Sequence, residues 1–166
     1  DRGISDAQLG KLLQISESVN SDHYLTEILK QIMDKRELNA KNMEQVMRLS
    51  KSINSDHYKS TVLKKALKSN NLSQQAYDTF LSSLQDINSD HYASAVINEL
   101  MKTNLDTKNL THVLGIIQKN IGSDSYSSRI YKSLAKRNDL TDDQLIVVLN
   151  AAKTMNSDSY LSQTLL

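Results

Sequence analysis

Apolar side chains fall three and four residues apart along this chain, in blocks of three to four turns divided by short polar stretches. One kind of block, helix A, carries Tyr24, Ile28, Leu29, Ile32 and Met33, and again Tyr58, Val62, Leu63, Ala66 and Leu67. The other, helix B, carries Met43, Val46 and Met47, then Tyr77, Phe80, Leu81 and Leu84, and later Leu145, Val148, Leu149 and Ala152. Each pattern lays an apolar stripe along one face of an amphipathic helix. The blocks alternate, which predicts an all-α chain of helix–turn–helix units with about 75–85% of its residues in helices.

The alternation is periodic. Ser21-Asp22-His23-Tyr24 returns as Ser55-Asp56-His57-Tyr58, Ser89-Asp90-His91-Tyr92, Ser123-Asp124-Ser125-Tyr126 and Ser157-Asp158-Ser159-Tyr160, always 34 residues on. A constant period of this length marks stacked repeats. It predicts a right-handed α-solenoid, HEAT- or TPR-like in its superhelix: a half repeat over 1–19, repeats over 20–53, 54–87, 88–121 and 122–155, and a partial repeat over 156–166.

Polar residues that cap helices well stand before each block. Expected caps for helix A are Asn20, Asn54, Asn88, Gly122 and Asn156, with Val19, Ile53, Ile87, Ile121 and Met155 before them. Each would then staple to the tyrosine of its motif, and the motif's Asp would favour the positive end of the helix dipole. On that reading the rings pack between repeats, and Tyr92→Ala costs about 3–5 kcal/mol, the loss of a large buried aromatic. For helix B the expected caps are Ser5, Asn39, Ser73, Asp106 and Thr141. Ser5 with Gln8 and Thr141 with Gln144 have capping-box spacing. One unit is out of step: Leu105, Asp106 and Leu110 come a residue early, yet the next tyrosine is on schedule. A connection one residue shorter, compensated by one more residue in helix B or the following turn, explains this; a functional kink in the stretch holding Gly115 and Gly122 is the alternative.

Composition narrows the classes. With 39% hydrophobic and 23% charged residues the chain reads as globular, and a net charge of +1 gives no electrostatic reason to expect nucleic acid or an anionic membrane. No apolar run approaches the ~20 residues of a spanning helix. Cysteine is absent, which removes disulfides and thiolate metal sites; proline is absent too and there are four glycines, so turns fall to Asn, Ser, Asp and Thr.

The motif's chemistry is structural on this reading. Ser, Asp and His adjacent in sequence cannot form a nucleophilic triad among themselves. His23, His57 and His91 form a column that lapses to Ser125 and Ser159. Rows about 10 Å apart are too far to share one zinc ion. The tyrosines could stack bases, but with no Trp, one Phe and near-neutral charge a nucleic-acid-binding helical repeat is only the alternative reading. Its mark would be a steep salt dependence of binding. A pH- or zinc-responsive His column would show in stability. No metallopeptidase, nucleophile-elbow, P-loop or dinucleotide motif is present, so neither catalysis nor a cofactor is expected. Asn71 and Asn109 match the N-glycosylation pattern by composition.

The 34-residue period is shared with tetratricopeptide repeats and with the DNA-reading repeats of plant-pathogen effectors, whose glycine and proline signatures are missing here. In Ile53-Asn54-Ser55-Asp56-His57-Tyr58 and its copies the chain resembles HEAT-like bacterial helical repeats with an Ile-Asn/Ser-Ser-Asp-x-Tyr signature. Such repeats are found behind membrane-bound metallopeptidase sensors and related signalling proteins. The resemblance implies a bacterial, extracytoplasmic interaction module with no activity of its own.

The expected role is therefore a non-catalytic protein-interaction or spacer module of a larger protein, its partner a protein or peptide. The exposed face of the B helices supplies the candidate surface: Glu44, Arg48, Lys51, Asp78, Ser82, Gln85 and His112, with Ile146 and Val147 adding apolar area. Leu9, Leu12 and Leu13 at one end and Tyr160, Leu161, Leu165 and Leu166 at the other lack polar capping, so the chain is expected to be an excerpt of a longer array or else to associate end to end.

Overall fold

A helix follows each capping residue. The structure, a computed structural model, describes residues 3–69 and 72–166, so the Asn71 match lies outside the described residues. Among them the elements are α1 (Asp6–Ser16), α2 (Asp22–Lys35), α3 (Ala40–Ser52), α4 (Asp56–Leu67), α5 (Gln74–Gln85), α6 (Asp90–Leu100), α7 (Thr107–Asn120), α8 (Asp124–Ala135), α9 (Asp142–Ala152) and α10 (Asp158–Leu165), with no strand. The helices hold a little under three-quarters of the described residues, just below the expected share, because each connection keeps several residues extended or in single turns.

The chain divides into two compact units, Asp1–Ile87 and Asn88–Leu166. In the first, α1, α3 and α5 pack successively into one row and α2 packs on α4 in a second. In the second, α6, α8 and α10 form one row and α7 and α9 the other. The apolar stripes meet between rows: Leu29, Leu63, Met43, Val46, Met47 and Phe80 in the first unit, and Val96, Ile97, Tyr131, Val113, Ile117 and Val148 in the second, are fully buried. Each such side chain contributes about 1.5–3 kcal/mol by leaving water.

The B helices begin as the sequence predicts. The side chains of Ser5, Asn39, Ser73, Asp106 and Thr141 accept from the backbone N–H groups of Gln8, Asn42, Ala76, Asn109 and Gln144, and both capping boxes close. The A helices begin one residue later than expected. Their N-caps are Ser21, Ser55, Ser89, Ser123 and Ser157, all with extended backbone. The shift undoes the staple. Each tyrosine sits at the third helical position, not the fourth; Tyr24 is 66% exposed, and Tyr58, Tyr92, Tyr126 and Tyr160 are half-buried. Leu25 and Ala93, one place on, are buried instead. The Tyr92→Ala cost expected from a core aromatic is accordingly too large.

The unit that breaks step shows how it is accommodated. Where the B helix turns into the next A motif, Val19, Ile53, Ile87 and Met155 donate their backbone N–H three residues back, to Ser16, Ser50, Leu84 and Ala152. Ile121 donates four residues back, to Ile117. The extra residue is taken up by turning a tight final turn into a full α turn, and Ser123 caps α8 on schedule.

Candidate interaction surface

The helix connections are held by side chains reaching between units of sequence. Asp22 opens α2 and lies in its first turn, as the dipole argument requires. Its carboxylate also accepts the backbone N–H groups of Asn54 (3.1 Å) and Ser55 (2.7 Å), which precede α4. In the second unit Asp90 accepts in the same way from Gly122 (3.2 Å) and Ser123 (2.8 Å), and Asp124 from Ser157 (2.8 Å). One carboxylate thus satisfies orphan donors at the start of the following A helix. At Asn54 and Gly122 this joint accompanies the later start of the A helix, whereas at Asn20 the Ser21 side chain caps α2 without it. The position before the cap must stay extended, so that two successive N–H groups face the same acid. The signal was present in the sequence: Asp persists through all five copies while the neighbouring His does not.

The A-to-B turns are joined separately. The Arg36 guanidinium donates to the Ile4 carbonyl (2.7 Å) and pairs with Asp6, which also accepts from Asn39 Nδ2 (2.9 Å). In the second unit Arg137 donates to the carbonyls of Met101 and Thr103, and Gln144 Nε2 to that of Leu105 (2.9 Å). Arg137 also pairs with Asp139 and holds its carboxyl below the ordinary carboxylate range. Lys30 does the same to Glu27.

The histidines and tyrosines make a ladder along the A helices. In the first unit His23 lies 5.2 Å from the Tyr24 ring and 5.6 Å from Tyr58, and His57 lies 5.1 Å from Tyr58. Tyr58 therefore stands next to both imidazoles, and no group of three His, Asp or Glu able to hold a metal occurs among the described residues. In the second unit His91 lies 5.0 Å from Tyr92 and 6.5 Å from Tyr126. Where the motif changes to Ser125, Arg129 bonds to its hydroxyl (3.0 Å) and places its guanidinium 5.2 Å from the Tyr126 ring. Gln163 folds back on Ser159 in the same way (3.3 Å).

The B-face residues fall into two groups. Glu44, Arg48 and Lys51 lie on α3 and Asp78, Ser82 and Gln85 on α5, two helices packed side by side in the first unit. Arg48, Lys51, Asp78 and Gln85 are exposed; Glu44 and Ser82 are half-buried. Three of the six also bridge helices or turns: Glu44 accepts from the Ser73 hydroxyl (2.8 Å), and Lys51 Nζ donates to Ser82 (2.7 Å). Asp78 accepts from Gln74 within its own helix. His112 on α7 is exposed, and on α9 Ile146 is 55% exposed with Val147 half-buried.

Tyr131 takes a core place held by Leu29, Leu63 and Ile97 in the other A helices. Burial pushes its phenol up to about 12, against a hydrogen bond with Thr154 that lowers it. No helix among the described residues is long and apolar enough to cross a membrane. The chain matches no known protein family, no characterised protein and no solved structure.

Proposed function

We propose that this chain is a right-handed α-solenoid of 34-residue repeats serving as a non-catalytic protein-interaction or spacer module in a larger bacterial signalling or envelope protein. The reading is carried by α3 and α5, which lie side by side in one row and present Arg48, Lys51, Asp78 and Gln85 to solvent. Mixed charge spread over two rigid adjacent helices offers a partner several anchor points, and the supporting core lies beneath it. Ile146 and Val147 form a second, apolar candidate patch on α9.

The test is a partner-capture measurement with charge reversal at Arg48 and Asp78. Capture should fall while the melting temperature stays within about a degree or two, as for exposed substitutions. Capture lost only through changes on the outer face of α2 and α4 would reverse the assignment. Binding of single-stranded nucleic acid with a steep salt dependence would replace it with the alternative reading.

A further inference from the structure

A groove of about 420 Å³ lies between α1 and α3 of the first unit, and a glycine opens it. Counted from the caps, Gly10 on α1 stands where Glu44 stands on α3 and Asp78 on α5. Glu44 crosses to the next B helix and accepts from the Ser73 hydroxyl (2.8 Å), so the α3–α5 junction is bridged at this point. Gly10 leaves the α1–α3 junction without that bridge. Packing does not require a glycine here. An added Cβ would meet only the tips of two flexible side chains, Asn42 Oδ1 at 3.4 Å and Gln45 Oε1 at 3.5 Å. Glycine is also the poorest interior helix residue after proline, so a side chain at this place would make α1 firmer.

The lining offers two kinds of unmet chemistry. Asn42 is 2% exposed and donates its Nδ2 to the Asp6 carbonyl (3.2 Å), while its Oδ1 accepts no hydrogen bond among the described residues. Gln45 Oε1 is buried and likewise has no partner among them. A buried acceptor left unsatisfied lowers stability, and turning the carboxamide toward a donor recovers the loss. Lys11 and Lys41 are exposed and join no ion pair among the described residues. The acid on the lining, Asp6, is already paired with Arg36. The groove thus sets two amide oxygens without donors beside two unopposed ammonium groups.

We propose that this groove binds an extended acidic peptide segment. Main-chain N–H groups of the segment donate to Asn42 Oδ1 and Gln45 Oε1 above the bare Cα of Gly10, and its side-chain carboxylates pair with Lys11 and Lys41. A basic segment would bring the same donors but would meet like charge. The site is separate from the exposed α3–α5 face and stands whether or not that face holds a partner.

Fluorescence anisotropy tests it on the whole chain with a fluorescein-labelled, end-blocked hexapeptide of glutamate and with its lysine counterpart. The glutamate peptide should bind saturably and the lysine peptide should not. Gly10→Gln puts a long side chain across the groove without changing charge, and Gln is the better helix former. Its melting temperature should hold or rise while affinity falls about tenfold or more. Gln45→Leu should keep the helicity and lower affinity about tenfold, the loss of one hydrogen bond to the occupant. Lys41→Glu should abolish binding, whereas Lys119→Glu, an equal change of charge at an exposed place on α7, should leave it unchanged. A glutamate peptide that does not bind saturably overturns the proposal. Binding that Gly10→Gln and Gln45→Leu leave intact overturns it too, as does binding that Lys119→Glu weakens as much as Lys41→Glu, since either marks a general attraction of acid to lysines. Displacement of the peptide by free glutamate at equal carboxylate concentration overturns the assignment to a peptide.

Discussion

The two units solve one packing problem with different residues. In the first, Tyr58 is flanked by imidazoles, His23 from the motif before it and His57 from its own. In the second, His91 stands farther from Tyr126, and the guanidinium of Arg129 supplies the contact from within the same helix. The sequence shows the exchange in both directions. Motifs with His23, His57 and His91 have Glu27, Thr61 and Ala95 four residues on, and motifs with Ser125 and Ser159 have Arg129 and Gln163. A long side chain bearing N–H donors arrives where the ring is lost. The constant requirement is something flat or extended over the tyrosine, and the variable part is where it comes from.

The sharpest contrast lies beneath the ladder, where the units differ in a core residue. Tyr131→Ala in the second unit should cost about 3–5 kcal/mol, and Leu63→Ala at the matching place in the first about 2–5 kcal/mol, both measured by denaturant unfolding. If both cost less than the half-buried ladder tyrosines, the core lies elsewhere. The same residue gives the second unit a pH signature. Its phenol titrates near 12 in the fold against an ordinary value near 10, so folding favours the neutral form. That contribution is complete below pH 10 and is lost as pH rises from 10 through 12. Tyr131→Phe should flatten this alkaline decline, and an unchanged decline would assign it to other groups.

The joints should behave alike in both units. Asp22→Ala and Asp90→Ala each remove an acid accepting two backbone N–H groups, and each should cost about 1–3 kcal/mol. Substitution by Glu should recover little, because the longer side chain misplaces the carboxylate. A loss at one site only would show that the joint is not a general device. Smaller effects are expected in the ladder: about 1–2 kcal/mol for Tyr58→Ala and for Tyr126→Ala, as befits half-buried rings. Arg129→Ala should cost about 0.5–1 kcal/mol, and Arg129→Ala with Ser125→His should regain it if the two devices are interchangeable.

Periodicity and capping make most of this legible in the chain itself. The alternating stripes predict the helices, and all five B caps stand where Ser5, Asn39, Ser73, Asp106 and Thr141 indicate. The A caps lie one residue past the expected place for a physical reason. Asn and Ser both cap well, and at α4 the N–H groups before the helix are held by a carboxylate 32 or 33 positions earlier. Local propensity carries no trace of so distant a partner. The same shift takes the tyrosines out of the core, since a one-residue change of cap turns a side chain by about 100° around the helix. Of the B-face residues, exposure at Arg48 and Gln85 follows from the helical period. The Glu44–Ser73 and Lys51–Ser82 bonds depend on how neighbouring helices meet.

The Ile121 turn has a consequence for how such a chain can change. Its backbone N–H reaches one residue farther back than those of Ile53 and Ile87, and α8 still begins on time. A turn with two acceptable closures works as an expansion joint, absorbing a residue gained upstream before the error reaches the next Asp and its acceptor site. Insertions or deletions of one residue between a B cap and this turn should then be tolerated locally. The same change between the Ser-Asp motif and its tyrosine would displace every later contact on that helix. Variation in length is therefore confined to the stretch where it leaves the phase of the following helices intact.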